Sequence, residues 1–249
     1  MARRATVIKD ERETADYVLL LDAGDSLIND HYPAKSSDGE SSIAAYNFLG
    51  YDALAIGSLD LTLLNVVTMT ERLSEAEFPV LSANVHAAGV DDLLAEPYAI
   101  VERGGHQIAI LGLTDAAELE GWTIDDPVMA ARQWVPKLEE KAGIVIVLSH
   151  AGVDTDKRIA AEVPGIDIII SGRGNATDIH TDSETGTMLF HADSPSQGQA
   201  GRTVGAAYLS FDRAGRLIGH EWRKYLLGED IEDDQETRSW VIEADRTWR

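Results

Sequence analysis

The sequence predicts an α/β protein with a mixed sheet, and three observations support this class. Short aliphatic runs, typical of strands that are buried on both faces, alternate with segments of helical spacing. In the middle of the chain, apolar runs at 98–102 and 107–113 flank a Gly-Gly turn, which predicts an antiparallel hairpin. The part after residue 188 is rich in strand-like runs. A chain of 249 residues can form this fold as one domain.

Helices and strands alternate regularly in the first part of the chain. Residues 5–15 show helical spacing and precede a continuous aliphatic run, which predicts a helix and then a buried strand. Gly50 directly follows the second helical segment, as is common at a helix C-terminus. The predicted elements, in order, are helix 5–15, strand 17–21, helix 41–49, strand 51–56, helix 63–76 and strand 79–82.

The second part adds a parallel unit and further strands. Asp126-Pro127 predicts the N-cap and first turn of a helix, which Pro136 is expected to kink. A strand, a helix and a strand then follow closely and predict a right-handed βαβ crossover. The remaining predicted elements are strand 144–148, helix 154–163, strands 166–170, 188–191, 204–211 and 217–222, and a helix or linker at 235–248.

Composition excludes several function classes. The 43 acidic and 21 basic residues give a net charge of −22, which repels nucleic acid and anionic membranes, so we expect neither as a partner. No apolar run approaches the roughly 20 residues that span a bilayer, and the first residues do not resemble a signal peptide. We therefore expect that the chain as written is not exported, and its compartment stays undetermined. The absence of cysteine excludes disulfides, thiolate zinc sites and cysteine nucleophiles.

Residues 1–225 are expected to form the α/β domain, and 226–249 an acidic C-terminal tail or helix.

Polar residues follow four of the predicted strands, at the sheet edge where α/β proteins place their chemistry. Asp25 comes after a sharp turn at Gly24, and a carboxylate there can bridge two divalent cations. His150 carries an imidazole, which is a good ligand for zinc, manganese or iron. On spacing alone, a structural interpretation is the more common one, in which Asp25 caps the turn and His150 binds the backbone. The four strand-end segments are 22–25, 57–60, 149–150 and 171–175.

Six segments occur in an order and spacing that is more informative than any one of them. They are 20–25, 46–53, 78–85, 110–114, 147–152 and 165–170. Together they resemble the metallophosphoesterase (calcineurin-like) superfamily, specifically the N-terminal catalytic domain of the 5′-nucleotidases. The resemblance covers residues 2 to about 222. It implies a sandwich of two mixed sheets flanked by helices, with a two-metal centre that activates water for attack on a phosphate ester.

The resemblance also implies roles for single residues. Asp25 matches the aspartate that bridges both metals, and His150 matches a histidine ligand of the second metal. The Asp-x-His motif that ends the family's first strand has no counterpart here, so two ligands of the first metal are absent. The first strand is therefore expected to be missing, and the sheet edge that this exposes can pair with a second copy in a homodimer.

Two further family motifs are altered. The Asn-His-Glu motif falls on Ser58-Leu59-Asp60, which leaves Asp60 as the candidate catalytic residue. The Gly-His-x-His motif falls on 172–175, where Arg173 replaces an imidazole and Asn175 can offer a carbonyl oxygen as a weak metal ligand. A guanidinium cannot coordinate a cation. Arg173 is therefore predicted to pair with Asp25 in place of a metal, or to bind a substrate or another anion.

These changes predict a domain with a degraded two-metal site that is weakly active or inactive as a phosphatase. One divalent metal (Mn, Zn or Mg) is expected to bind weakly, or none. An alternative is an active phosphoesterase in which Asp60 and Asn175 join the two matched ligands. His180 or His191 can also supply a missing ligand from a neighbouring segment. A second alternative is a non-catalytic module that binds a small phosphorylated ligand, another anion or a protein partner, with Arg173 as its positive anchor.

Overall fold

The computed structural model describes residues 1–174, 179–192 and 201–248. The helices are α1 (Ala2–Thr14), α2 (Glu40–Leu49), α3 (Ser58–Leu63), α4 (Val66–Glu75), α5 (Pro127–Glu139), α6 (Val153–Glu162) and α7 (Gln235–Thr247). The strands are β1 (Leu21–Asp22), β2 (Ala53–Ala55), β3 (Val80–Leu81), β4 (Val85–Ala87), β5 (Tyr98–Arg103), β6 (His106–Thr114), β7 (Trp122–Ile124), β8 (Ile144–His150), β9 (Ile168–Ser171), β10 (Ile179–Thr181), β11 (Met188–His191), β12 (Thr203–Phe211) and β13 (Leu217–Leu226).

Two sheets pack face to face. The larger has six strands in the order β10-β11-β9-β8-β6-β5, and the smaller is the parallel sheet β1-β2-β3. Side chains from both inner faces, such as Leu81 and Ile110, share one core cluster. Helices α1, α2 and α4 cover the outer face of the smaller sheet, and α5 and α6 cover that of the larger. The predicted α/β sandwich flanked by helices is confirmed. Only the larger sheet is mixed, with antiparallel pairs at β5 and β10, whereas the smaller sheet contains parallel pairs rather than the predicted mixture.

The predicted hairpin and the predicted βαβ unit are both confirmed. Strands β5 and β6 form the expected antiparallel hairpin, and β8, α6 and β9 form a parallel βαβ unit. Every residue of β8 is buried, since helices cover one face and the smaller sheet covers the other. The Asp126 carboxylate accepts hydrogen bonds from the amides of Val128 and Met129, as expected of an N-cap.

Two elements near the site differ from expectation. The strand predicted at 17–21 is β1, which pairs only at Leu21 and Asp22. The Leu20 amide instead donates to the Asp52 carboxylate, and Tyr17 is 65% exposed, so the start of the aliphatic run lies outside the sheet. The helix predicted at 63–76 is α4, and a separate short helix, α3, precedes it. Asn65 separates the two because its side chain caps α4 at the amide of Thr68.

Three short strands were not predicted. Strands β4 and β7 pair with each other, and β10 pairs with β11, each over only three residues. Segments of this length carry no clear periodicity, so their sequences do not separate them from loops. Strand β1 lies at an edge of the smaller sheet, and dimerisation through that edge stays a prediction.

The acidic segment near the C-terminus leads into helix α7, which packs on the start of the chain. Asp234 caps α7 at the Thr237 amide and pairs with Lys9 of α1 at 2.7 Å. Trp240 stacks on Phe48 of α2 with ring centroids 5.0 Å apart. In the part of the chain that the structure describes, no helix has the length and apolarity to cross a bilayer.

Candidate functional site

The carboxyl ends of strands from both sheets meet at one edge of the sandwich. The Thr114 hydroxyl, at the end of β6, donates to the Ile56 carbonyl just after β2, at 2.8 Å. The Asn84 side chain bonds to the backbone amide and carbonyl of Thr114 at 2.9 and 2.8 Å. These bonds hold the segment that begins at Gly57 against the end of the larger sheet.

Glycines let the Asp25 turn approach this edge closely. Gly24 has φ 102° and Asp25 has φ 57°, a left-handed conformation that residues with a side chain seldom adopt. A Cβ on Gly57 would overlap the Asp25 carboxylate, and one on Gly172 would overlap the Ala23 carbonyl. The backbone therefore places the Asp25 side chain against both neighbouring strand ends.

Asp25 and His150, the two matched metal ligands, contact each other. Asp25 Oδ2 lies 2.9 Å from His150 Nε2, an ion-pair distance, although the angle is not that of a hydrogen bond. Asp25 Oδ1 accepts a hydrogen bond from the Leu59 amide at 2.8 Å. His150 Nδ1 lies 2.7 Å from the Ala23 carbonyl, which can only accept, so the Nδ1 proton points there. The metal-ligand roles of the two residues stay predictions, and their direct contact was not predicted from the sequence.

The pKa values of Asp25 and His150 are shifted in opposite directions. Burial alone lowers the pKa of His150, but the neighbouring Asp25 carboxylate outweighs burial and raises that pKa above its ordinary value. Burial alone raises the pKa of Asp25, but His150 and the Leu59 amide outweigh it and lower that pKa. The pair is therefore favoured in its charged form, imidazolium beside carboxylate.

Asp60 is close to this pair but faces the interior. It is fully buried, and its carboxylate accepts from the amides of Leu27, Ile28 and Gly57 at 3.0, 3.4 and 3.1 Å. Burial, followed by the charge of Asp25, raises the pKa of Asp60 to about 7, although the amides act against this. The carboxylate thus ties two loops together and presents no exposed atom to a substrate. The other changed positions of the motif, Ser58 and Leu59, lie at the surface, where Leu59 is 38% exposed.

Arg173 does not take the partner that we predicted. Its guanidinium pairs with Asp115, the residue that follows β6, rather than with Asp25. The charge of Arg173 lowers the pKa of Asp25 only as the smallest of several causes. The prediction that Arg173 replaces the metal at Asp25 is therefore wrong, and the side chain that lies beside that carboxylate is His150. Asp115 occupies a strand end, the same sequence signal that indicated Asp25, but sequence analysis missed it.

The predicted metal donors do not all converge within the part of the chain that the structure describes. Among residues 1–174, 179–192 and 201–248, no three histidine or acidic side chains are close enough to hold one ion together. Asn175, the predicted weak ligand, lies outside the described residues. Strand register places His191 on the face of the larger sheet that carries Ser149 and Ser171, opposite to His150. His180, on β10, is separated from β9 by β11.

A second buried carboxyl group lies on the opposite face of the same edge and was also missed by sequence analysis. Asp156 of α6 is fully buried and accepts hydrogen bonds from the Ser149 and Ser171 hydroxyls, both at 2.5 Å. Burial raises its pKa to about 7 against the effect of the two serines. Its position in the first turn of a helix is common for exposed acidic residues, so the sequence carries no sign of its burial.

Comparisons with known proteins agree with the fold. No protein-family model matches the chain. A snake venom 5′-nucleotidase of Gloydius brevicauda is 29% identical over 268 residues, which cover 97% of this chain and 45% of that protein. The uncharacterized metallophosphoesterase YunD of Bacillus subtilis is 26% identical over 96% of this chain and 52% of its own length. A crystal structure of a 5′-nucleotidase precursor from Thermus thermophilus superposes with a TM-score of 0.83 at 24% identity, over 99% of this chain and 52% of that one. The chain thus spans about half the length of the curated relatives it matches.

Proposed function

Because this chain is a 5′-nucleotidase-type metallophosphoesterase domain, we propose that it is one in which the two-metal site is degraded, with weak or no phosphatase activity. The observation that carries the proposal is the direct contact of Asp25 with His150, 2.9 Å apart. The two side chains that match metal ligands compensate each other's charge. No other described side chain converges on them to complete a site.

The altered motif positions support the proposal. A transition-metal site ordinarily needs about three or more protein ligands, and Asp25 with His150 supplies two. At the position of the family's charge-stabilising histidine stands Leu59, whose side chain can donate no hydrogen bond. Loss of one such group typically lowers kcat by about two to three orders of magnitude. Arg173 is engaged with Asp115 and cannot serve as a ligand.

One observation favours a second candidate function, a weakly active phosphoesterase with one divalent metal (Mn, Zn or Mg). His150 Nδ1 faces a backbone carbonyl, which is the outer contact that commonly orients Nε2 towards a metal. His150 Nε2 is buried and has no aligned hydrogen-bond partner among the described residues. Asp25 and His150 would then hold the ion, with Asn175 as a third donor in the prediction from sequence.

Metal content and turnover measured together distinguish the two candidates. The protein is incubated with Mn²⁺, Zn²⁺ or Mg²⁺, dialysed, and analysed for bound metal, while hydrolysis of 5′-AMP and of p-nitrophenyl phosphate is followed. We expect less than stoichiometric metal and turnover close to that of an Asp25→Ala variant. Stoichiometric metal together with turnover that Asp25→Ala abolishes would contradict the degraded site and support the second candidate.

A further inference from the structure

An open strand edge of the smaller sheet and an open edge of the β12–β13 hairpin lie in the same layer of the sandwich. Within the described residues, β1 pairs only with β2, and β12 pairs only with β13. Leu21 of β1 and Leu209 of β12 pack in one core cluster, on the inner face of the larger sheet. The Tyr17 ring, before β1, lies against the β5–β6 turn, and the Phe211 ring, at the end of β12, lies 6.4 Å from the ring of His106 in β6. The two open edges therefore run along the same layer in opposite directions.

A gap in the covering of the larger sheet lies between these edges. Leu148, Ile170 and Phe190 are register neighbours on β8, β9 and β11, and all three lie on the inner face. Leu148 and Phe190 are fully buried, because the smaller sheet covers β8, and Trp222 of β13 packs on Phe190 with ring centroids 5.1 Å apart. Ile170, the residue between them, stays partly exposed. The gap therefore runs over β9 and has an apolar floor.

The edge of β1 presents unpaired backbone groups to this gap. The Leu20 carbonyl accepts a hydrogen bond from the Asp52 amide, and the Leu20 amide donates to the Asp52 carboxylate, both at 2.8 Å. The Leu20 backbone therefore faces β2. Because backbone groups point to alternate sides along a strand, those of Leu19 and Leu21 face the gap, where no described residue pairs with them.

The edge of β12 presents the same kind of groups. The Leu227 amide donates to the Arg202 carbonyl at 2.7 Å, which makes these two residues a hydrogen-bonded pair of the hairpin. Hydrogen-bonded pairs alternate along an antiparallel ladder, so the backbone groups of Gly205, Ala207 and Leu209 point away from β13. Two rows of unpaired donors and acceptors thus border one gap.

Helix α1 holds the two edges apart. Its residue Glu11 accepts hydrogen bonds from the Tyr208 hydroxyl of β12 at 2.7 Å and from the Tyr225 hydroxyl of β13 at 2.6 Å. The next residue, Arg12, donates to the Leu49 carbonyl at the end of α2, at 3.0 Å. One end of the helix is therefore tied to both parts of the layer, and the hairpin cannot close onto β1 without breaking these bonds.

We propose that this gap, the slot between β1 and β12, binds one extended strand of another polypeptide chain. The strand's backbone pairs with β1 on one side and with β12 on the other, and its side chains face the larger sheet and α1 alternately. Since both faces are covered, the bound segment is apolar throughout, and the chain's net charge of −22 favours basic residues at the segment's ends. A second copy is not the donor, because the apolar strands of the described residues already belong to sheets. No metal takes part, and the proposal does not depend on the proposed function.

Binding of a synthetic strand tests the proposal. The probe is a fluorescein-labelled peptide, Lys-Thr-Val-Ile-Val-Leu-Thr-Lys, and its matched control is the same peptide with N-methyl groups on alternate backbone nitrogens. The control keeps the side chains and the charge but loses its donors to one edge of the slot. By fluorescence anisotropy we expect saturable binding of the probe and at least about tenfold weaker binding of the control. Absence of saturable binding, or equal affinity for the two peptides, overturns the proposal.

Amide hydrogen exchange, followed by NMR, locates the bound peptide. At saturating peptide we expect at least about tenfold slower exchange at the amides of Leu19, Leu21, Ala207 and Leu209. The amide of His220 lies on the outer edge of β13, and its exchange is expected to stay unchanged. Protection of that outer edge without protection of the slot would overturn the site.

Two proline variants give an independent test of the location. Ala207→Pro removes an N–H that faces the slot and is expected to weaken probe binding about fivefold, the effect of one hydrogen bond. His220→Pro is the matched control, because it removes an N–H from the opposite edge of the same hairpin, and it is expected to leave the affinity within about twofold. Equal weakening in both variants would overturn the site. If Ala207→Pro does not fold by circular dichroism, hydrogen exchange in the parent chain decides.

Sedimentation with and without the probe separates a partner chain from a second copy. We expect the protein alone to sediment as a monomer. A dimer that the peptide dissociates would assign the slot to a second copy and overturn the choice of partner. All of these measurements are made in EDTA, so metal-dependent turnover would contradict only the proposed function.

Discussion

Two buried carboxyl groups lie at the strand-end edge of the sandwich, but their partners differ. In α3, Asp60 accepts hydrogen bonds from three backbone amides of the loops that follow β1 and β2. On the outer face of the larger sheet, Asp156 accepts two serine hydroxyls from neighbouring strands. Burial raises both pKa values to about 7. The difference lies in the partners: backbone donors cannot be removed by substitution, while serine donors can.

Asp60 holds two loops in position, whereas Asp156 joins a helix to two strands that are already paired with each other. Loss of Asp60 would leave several buried amides unpaired and would free the loops that position Asp25. Ser149 and Ser171 lie on paired strands, so loss of Asp156 would leave their positions unchanged. We therefore expect the two positions to respond differently to matched substitutions.

The largest expected effect is that of Asp60→Ala. Three amides lose their acceptor, and each unpaired buried group costs about 1–3 kcal/mol, so the free energy of unfolding should fall by about 5 kcal/mol. Urea denaturation followed by circular dichroism measures it. Asp60→Asn, which keeps one acceptor oxygen, should lose less than half as much. Equal losses would show that the amides do not depend on this side chain.

The next effect is a pH dependence at Asp156. Its pKa is about 7 in the folded protein and 3.8 as the ordinary value, so the folded state binds the proton more tightly. The resulting stabilisation is complete below pH 3.8 and is lost as the pH rises through about 7. At 1.36 kcal/mol per pKa unit, the loss is at most about 4 kcal/mol.

Asp156→Asn removes this titration and should make stability less dependent on pH. Its free energy of unfolding relative to the parent chain should rise between pH 4.5 and 8, as measured by urea denaturation at both values. A constant difference between the two chains would contradict the raised pKa. Asp154→Asn, at an exposed position of the same helix turn, is the control and should show no such trend.

A third experiment restores family metal ligands around Asp25 and His150. Ser58→Asn and Arg173→His together would give Asp25 and His150 two more donors, the four of a complete site for one ion. We expect the double variant to retain about one equivalent of Mn²⁺ or Zn²⁺ after dialysis, where the parent chain retains less. Adding Asp25→Ala should abolish retention. If the double variant retains no more metal than the parent, a cause other than missing ligands prevents binding.

The smallest effects are expected on the outer face. Ser149→Ala and Ser171→Ala each remove one hydrogen bond to Asp156 and should cost about 1–2 kcal/mol at neutral pH. The two bonds to Asp156 both measure 2.5 Å, but Ser149→Ala should cost more because the Ser149 hydroxyl also accepts from the Ala151 amide at 3.1 Å. Thermal melting of the two variants measures the difference. A loss as large as that of Asp60→Ala would remove the distinction between the two carboxyl groups.

The sequence carried enough information for most of the fold, because buried strands and their connections have strong periodic signals. It identified the βαβ unit and the central hairpin. It did not identify β4, β7 or β10, because three residues are too few for a period. It also misassigned the partner of Arg173. A long flexible side chain reaches several carboxylates, and only the three-dimensional arrangement selects Asp115.

The glycines around Asp25 have a consequence for engineering. Gly57 and Gly172 make room for the turn because they lack a side chain. The side chains at 58, 59 and 173 can therefore be exchanged without a change in the backbone conformation around Asp25. The domain offers a ready scaffold on which one ligand at a time can be returned and its contribution to catalysis measured separately.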